Sequence, residues 1–351
     1  MGAVENLLKQ NPFDYDEELF IEAANEAIAN WSDNKNYKAR LERSDFEHPS
    51  KSIKDFYAAP TIDMREFKEN PEKITIGDYY KELVSSGTST GERSRVPRGK
   101  KGLERHRNYF NGIGEAMLPD LDYMAILGPS EEFLEKVQDP NVSNKGTFNY
   151  MHWGFGQPYK SEYFLDMSTG EPKPDFGGMA EELQKRDGNL GIFGLPPHLD
   201  KFMDYIKQTG LEIDLGKKGA AVTAGGWKGL EGKGNEEFRQ RIADTFDIPR
   251  EAHVDFYGCT ESMIPAGNKY GDENPDKKRV PSQGLIYVAD EDKLAKTGEI
   301  EPKGTGEGLA IILDTLTVDH PGAILTDDIV KKTGGEYGED VRIEHLGRSS
   351  M

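Results

Sequence analysis

The run SSGTSTGERS at positions 85–94 puts five hydroxyl side chains, Ser85, Ser86, Thr88, Ser89 and Thr90, in its first seven residues together with Gly87 and Gly91. Two chemistries suit it. Its core, Gly87-Thr88-Ser89-Thr90-Gly91, fits the G-x-S-x-G nucleophile elbow of a serine hydrolase or acyltransferase, with Ser89 as nucleophile. The same residues suit a phosphate loop, in which small residues admit backbone N–H groups to an anion, hydroxyls donate to its oxygens and cations balance its charge. Arg93, Arg95, Arg98, Lys100 and Lys101 supply cations in an otherwise acidic chain. It is not a Walker loop, because three residues separate the glycines and no Lys-Ser/Thr pair follows.

An elbow needs a helix directly after the serine turn. Pro97 and Gly99 delay a convincing helix until about Lys101, and residues 1–80 offer few strand signals to precede an elbow. The chain order Ser, Asp, His is nevertheless available, since Asp314, Asp319, Asp327, His320 and His345 all follow Ser89. A Ser/Gly-rich linker with a solvated basic run is the plain structural alternative.

Three downstream runs bear on the choice. TAGGWKG at 223–229 ends a strand in a glycine turn, where backbone can lie flat against a purine. FYGCTES at 256–262 ends the next strand and puts Glu261 where a strand-end carboxylate could hold a divalent cation near phosphates. ILTDDI at 324–329 offers Asp327 as acceptor for two ribose hydroxyls. In YMHWGFG, His152 and Trp153 are candidates to line an acyl pocket, with packed core residues as the alternative.

The elements that must position these residues fall into three stretches. Residues 1–80 read as a helical lead-in, with Asp14 and Glu17 as a capping box ahead of Leu19, Phe20, Ala23, Ala27, Ile28 and Trp31. Residues 81–280 read as an α/β core. A helix carries Leu103, His106, Phe110, Ile113 and Met117 on one face. Apolar runs at 123–127, 190–193, 220–223 and 253–257 alternate with helical spacing such as Phe238, Ile242 and Phe246, the rhythm of a parallel sheet. Residues 281–351 read as a β-rich subdomain, an antiparallel sheet or partial barrel built from SQGLIYVAD, GEGLAIILDTL, GAILTDDIV and EDVRIEHLGR. The Pro/Gly/Asp-rich span 156–178 reads as a long surface loop.

Composition excludes several classes. With 44 basic and 63 acidic residues the net charge is −19, which disfavours attraction to nucleic acid or an anionic membrane, so an anionic ligand needs a local site. One cysteine, Cys259, rules out a disulfide framework and a Cys-rich zinc site, and the histidines have no HExxH-like spacing. No apolar stretch approaches a membrane span and no signal peptide or myristoylation pattern is present, so a cytoplasmic location is expected.

Taken in order, SSGTSTG, AGGWKG, YGCTE, LTDD and GR resemble the adenylate-forming enzymes: acyl-CoA ligases, luciferases and peptide-synthetase adenylation domains. SSGT-TG, GGWK and HPGAILTDD are most similar to the LuxE-type acyl-protein synthetases and their phenazine-biosynthesis relatives. The resemblance covers residues 80–348. It implies ATP-dependent, Mg²⁺-assisted activation of a fatty or aryl carboxylic acid to an acyl-adenylate, then transfer to coenzyme A, a carrier protein or a partner acyl reductase. Ser85 to Gly91 would hold the β- and γ-phosphates. Gly225, Gly226 and Trp227 would lie near the adenine, with Tyr257 stacked on it and Gly258 beside it. Thr260 would contact the α-phosphate, Glu261 would bind Mg²⁺, Asp327 the ribose, and Arg348 the ribose or a phosphate. His152, Trp153 and Cys259 fall on the acyl side, Cys259 as a small buried residue rather than an acyl acceptor.

The sequence departs from the pattern. The loop is one residue longer than SSGTTG and no lysine follows its second glycine, where Arg93 or Arg95 stands instead. The chain ends just after Gly347-Arg348, so the C-terminal domain with its catalytic lysine is expected to be missing, as is the acyl-accepting cysteine near the C-terminus. Lys228 is the candidate substitute, with Thr88 and Glu261 completing the group expected to act on the reacting phosphates. A family member that binds nucleotide or carboxylate without turnover is the remaining alternative.

Overall fold

In a computed structural model, residues 2–85, 93–137, 139–167, 173–225, 235–274 and 276–349 are described. In chain order, the elements that matter for the site begin with helix α1 (Glu17–Trp31), strands β1 (Lys81–Val84) and β2 (Arg95–Arg98), and helix α2 (Lys100–Met117). Strand β3 (Tyr123–Leu127), strand β4 (Leu190–Gly194), helix α3 (Pro196–Thr209), strand β5 (Ala220–Ala224), helix α4 (Asn235–Phe246) and strand β6 (His253–Tyr257) follow. The last four are β7 (Gly284–Ala289), β8 (Gly306–Asp314), β9 (Ala323–Thr333) and β10 (Arg342–Arg348). The chain divides into two compact units, one of Met1–Tyr109, Gly258–Ala266 and Lys277–Met351, the other of Phe110–Tyr257 and Gly267–Asp276.

The second unit holds the parallel sheet expected from the apolar runs. β6 pairs with β5, β5 with β4 and β4 with β3, all parallel, and Ser161–Tyr163 adds a further parallel strand beside β3. Strands covered on both faces read as unbroken apolar runs. β3, β4 and most of β5 are indeed fully buried. Helices α3 and α4 place Leu199, Phe202, Ile206, Phe238, Ile242 and Phe246 into one core with Leu127, Ile192 and Ala221.

The first unit holds the antiparallel sheet. β7 pairs with β8, β8 with β9 and β9 with β10, so all four strand-like runs of the C-terminal stretch are strands. β1 and β2 form a separate antiparallel hairpin in the register Leu83↔Val96. Helix α1 buries Phe20, Ala23, Ala27, Ile28 and Trp31 as its periodicity predicts.

Two local expectations are corrected. The cap of α1 is Asp16, whose carboxylate accepts from the Leu19 amide at 3.0 Å, rather than Asp14; the Asx cap needs its acceptor three residues before the amide it serves. The span 156–178 is more than a loop. It contains the Ser161–Tyr163 strand, a Leu165–Asp166/Lys173–Pro174 pairing and the start of a helix at Phe176, capped by Asp175 accepting from Gly178 at 2.8 Å. Its alternation is too short, and too broken by Pro and Gly, to be read from periodicity.

Candidate functional site

Much of the proposed nucleotide machinery lies outside the described residues: Ser86, Gly87, Thr88, Ser89, Thr90 and Gly91 of the hydroxyl-rich loop, and Gly226, Trp227 and Lys228 of the glycine turn. The frame of the first is well defined. The Ser85 amide donates to the Ser94 carbonyl at 3.0 Å, and the Ser94 amide donates to Ser85 Oγ at 2.9 Å. The loop therefore joins two antiparallel strands, β1 and β2, and α2 begins only at Lys100. A nucleophile elbow requires a strand running straight into a helix, whereas among the described residues the next element after β1 is the strand β2.

The basic run after the loop splits. Arg93 and Arg95 are exposed, Lys100 sits over the Tyr80 ring with Nζ 5.2 Å from its centroid, and Lys101 approaches Glu5 at 3.8 Å. Arg98 is fully buried. Of the five cations expected to balance an anion's charge, Arg98 is thus withdrawn from the surface: β2 turns it inward because alternate residues of a strand face opposite sides.

Glu261 is 1% exposed, and its Oε1 has no hydrogen-bond partner among the described residues. Burial pushes its carboxyl above the usual range, opposed first by the Ser94 hydroxyl, while the Asp328 charge adds to the rise. A buried anion with an unpaired oxygen is costly unless a cation completes it. The backbone after it is anchored: Asp314, at the end of β8, accepts from the Met263 amide at 2.6 Å and the Ser262 hydroxyl at 3.2 Å. Thr260 is buried directly before Glu261, and Gly258 opens this segment at the end of β6. Cys259 is half-buried; burial and the neighbouring Glu261 charge push its thiol well up, which suits an inert side chain and not a nucleophile.

On β9 the two aspartates of LTDD separate. Asp328 accepts from Arg348 Nε at 3.1 Å and lies 3.4 Å from His345 Nε2. Asp327 is half-buried, and its Oδ1 has no partner among the described residues. Arg348, expected to reach ribose or phosphate, is thus turned toward Asp328, while Asp327 keeps the lone pairs that two ribose hydroxyls would use.

In the second unit, Gly225 closes β5 with φ +84°, a conformation L side chains rarely adopt. Tyr257 ends β6 and is buried. His152 and Trp153 are both buried in a single π-helical turn, His152–Gly156. Such turns recur at functional sites because the inserted residue re-aims its neighbours. His152 Nδ1 lies 2.8 Å from the Tyr163 hydroxyl, its Nε2 has no partner among the described residues, and burial holds the imidazole below its usual range. Phe155 of the same turn stacks on Phe193 at 4.8 Å.

The sequence alone did not single out Ser94, Asp314 or Asp328 as neighbours of Glu261, or Arg98 and His320 as buried partners. The only available signal was His320 inside HPGAILTDD.

No group of three His, Cys, Asp or Glu side chains among the described residues is arranged to hold a metal ion by itself. A Mg²⁺ ion typically takes one or two carboxylates and completes its shell with water and substrate phosphates. One buried, unpaired carboxylate oxygen on Glu261 fits that mode. No helix among the described residues is long and apolar enough to cross a membrane.

Comparison with known proteins now bears on this arrangement. The 2-hydroxyisobutyryl-CoA ligase, solved in an open conformation with 2-HIB-AMP and CoA, matches with a TM-score of 0.63 at 12% identity, over 95% of this chain and 74% of its own. A long-chain-fatty-acid-CoA ligase from Archaeoglobus fulgidus matches at 0.51 and 15% identity, over 80% of this chain and 52% of its own. McyG A-PCP, complexed with phenylalanyl-adenylate, matches at 0.51 and 13% identity, over 78% of this chain and 41% of its own. At these identities the likeness is one of fold, the α/β fold of adenylate-forming enzymes. No curated protein sequence matches the chain. The family described as acyl-protein synthetase, LuxE, matches residues 78–350, and the chain therefore belongs to that family of ATP-dependent, acyl-adenylate-forming ligases.

Proposed function

We propose that the chain activates a fatty or aryl carboxylic acid with ATP and Mg²⁺ and hands the acyl group to a thiol of coenzyme A, a carrier protein or an acyl reductase. The observation that carries the magnesium assignment is the buried Glu261 carboxylate with one oxygen unpaired among the described residues. It stands beside Ser94, at the foot of the hairpin that carries the hydroxyl-rich loop.

In the reaction the acid's carboxylate oxygen bonds to the α-phosphorus as the bond from that phosphorus to its β-bridging oxygen breaks, and pyrophosphate leaves with the electron pair. Such transfers need positioning and charge neutralisation more than a side-chain base. Ser85 to Gly91 would hold the β- and γ-phosphates, and Thr260 the α-phosphate. Gly225, Gly226, Trp227, Tyr257 and Gly258 would hold the adenine, and Asp327 the ribose. Mg²⁺, held by Glu261, would neutralise phosphate charge. Arg348 would join the ribose side only by leaving Asp328. Thr88 and Lys228 would serve the reacting phosphates. His152 and Trp153 would line the acyl pocket, with His152 Nε2 as its polar contact and Cys259 as a small wall residue.

The test is carboxylate-dependent exchange of labelled pyrophosphate into ATP over fatty, aryl and amino acids, with Glu261→Ala and Lys228→Ala alongside. Exchange confined to one acid class and lost in Glu261→Ala supports the reading. Absence of exchange despite Mg²⁺-dependent ATP binding points instead to a binding protein, and full activity in Lys228→Ala removes that lysine from its role.

A further inference from the structure

Arg98 is among the largest fully buried side chains of the molecule. A guanidinium keeps its proton in a protein, so a buried one needs acceptors; Nη1 and Nη2 of Arg98 have them, while its Nε has none among the described residues. One side is met by the turn between β8 and β9. Arg98 Nη1 donates to His320 Nε2 at 2.7 Å and to Thr317 Oγ1 at 3.3 Å, with Asp319 Oδ2 at 3.9 Å as counter-charge.

That turn is itself braced. Trp31 Nε1 donates to the Thr317 carbonyl at 3.1 Å, and the Gly99 amide donates to Asp319 Oδ1 at 2.9 Å. His320 Nδ1 lies 2.9 Å from the Pro321 carbonyl, which assigns the proton to Nδ1 and leaves Nε2 as the acceptor for Arg98. The ring is neutral in this arrangement.

The other side of the guanidinium does something a salt bridge does not. Arg98 Nη2 reaches the backbone carbonyls of Thr260 and Glu261, at 3.4 and 3.5 Å. These oxygens belong to the two peptide planes that flank Cα of Glu261. Each plane is rigid, so holding both restricts φ and ψ of Glu261 and hence the direction in which its side chain leaves the backbone. Asp314 holds the next two residues from the far side.

We propose that Arg98 is a positioning residue for adenylation: working from the strand that leaves the hydroxyl-rich loop, and backed by neutral His320, it fixes the Thr260–Glu261 backbone and so aims the carboxylate at the cation. This rests on reading Glu261 as the Mg²⁺ carboxylate. Lysine in its place keeps the charge but has no planar fork to span an imidazole and two carbonyls.

The experiment uses the whole chain and reads two quantities: the Mg²⁺ concentration that half-saturates ATP binding by calorimetry, and the same dependence in pyrophosphate exchange. Arg98→Lys is expected to raise both by about tenfold or more, the usual size for losing a group that orients a metal ligand. The KM for the carboxylic acid stays within about twofold, because uniform damage to the fold would move it as well. In Glu261→Ala the added Arg98→Lys change costs nothing further, since the arginine acts through that residue. If Arg98→Lys does not fold, His320→Gln, which keeps an acceptor, against His320→Leu, which lacks one, decides the matter: only the leucine variant should show the Mg²⁺ shift. A folded Arg98→Lys or His320→Leu with the wild-type Mg²⁺ dependence overturns the proposal alone. Mg²⁺-independent ATP binding by the wild type overturns the reading of Glu261 and the proposal with it.

Discussion

Asp328 and Arg348 face each other as register partners of β9 and β10, joined at 3.1 Å, while Asp327 one residue earlier keeps a buried oxygen without a partner among the described residues. Successive strand residues point to opposite faces, so the pair Asp-Asp supplies one structural and one available carboxylate.

The two aspartates should therefore separate in mutation. Asp327→Asn is expected to raise the KM for ATP by about 10- to 100-fold, the worth of hydrogen bonds to a charged acceptor, with a smaller change in kcat. Asp328→Asn should leave that KM closer to wild type and instead lower stability by about 1 kcal/mol. ATP titrations of exchange and urea midpoints of both variants check the split; equal effects on KM would refute it.

Gly114 packs against the carbonyl of Gly154 in the π-helical turn, where an added Cβ would stand 1.9 Å from the oxygen. Gly114→Ala should cost roughly 1–3 kcal/mol, as overpacking does, and raise the KM for the acid by displacing His152 and Trp153. Gly112→Ala, with nothing within 4 Å of the new atom, should instead add up to about 1 kcal/mol through helix propensity. Thermal unfolding and acid titration of the two variants distinguish a packing effect from a general helix effect.

Lys332 on β9 is buried, donates to the Glu336 carbonyl at 3.0 Å, and is pushed down to about 8 by burial, against the pull of Glu336 and Asp340. Unfolded, the amine holds its proton up to about 10.5. Between those values the unfolded state binds more protons, so this group makes stability rise as pH climbs from 8 to 10.5. Lys332→Met should then stabilise the protein at pH 7 by on the order of 2 kcal/mol, with the gap closing by pH ~10. Denaturant midpoints across that range provide the check; a gap independent of pH would contradict it.

Cys259 is the single cysteine, and burial disfavours its thiolate. Iodoacetamide should label it slowly in the native protein and fast in denaturant, and Cys259→Ser should keep exchange within about twofold. A labelled acyl-enzyme lost in the serine variant would instead make it the acceptor.

How legible the molecule was in its sequence depends on how local each feature is. Both strand sets could be read, because a fully buried parallel strand and an alternating antiparallel one each leave a pattern within six to ten residues. Glu261 and Asp327 could be singled out by the short runs around them. Arg98 could not be placed: a basic run reads as solvated, and only the pairing of β2 with β1 and the distant His320 turn it inward. The Asp16 cap was missed by two residues because Asp14 offers the same chemistry nearby, and the Ser161–Tyr163 strand was missed because three residues carry no period.

The hydrogen bond from Trp31 to the Thr317 carbonyl closes a separation of 286 residues. A nascent chain emerges from its N-terminus, so α1 leaves the ribosome long before the turn that receives its indole has been made. The second unit, nearly continuous in sequence and ending at Asp276, is fully synthesised by then, while the first still waits for β9 and β10. Contacts of such high order are slow to form. The apolar face of α1, carrying Phe20, Ala27, Ile28 and Trp31, therefore waits for most of the chain to be made before it meets its final neighbours, and such a face is where a chaperone would find work.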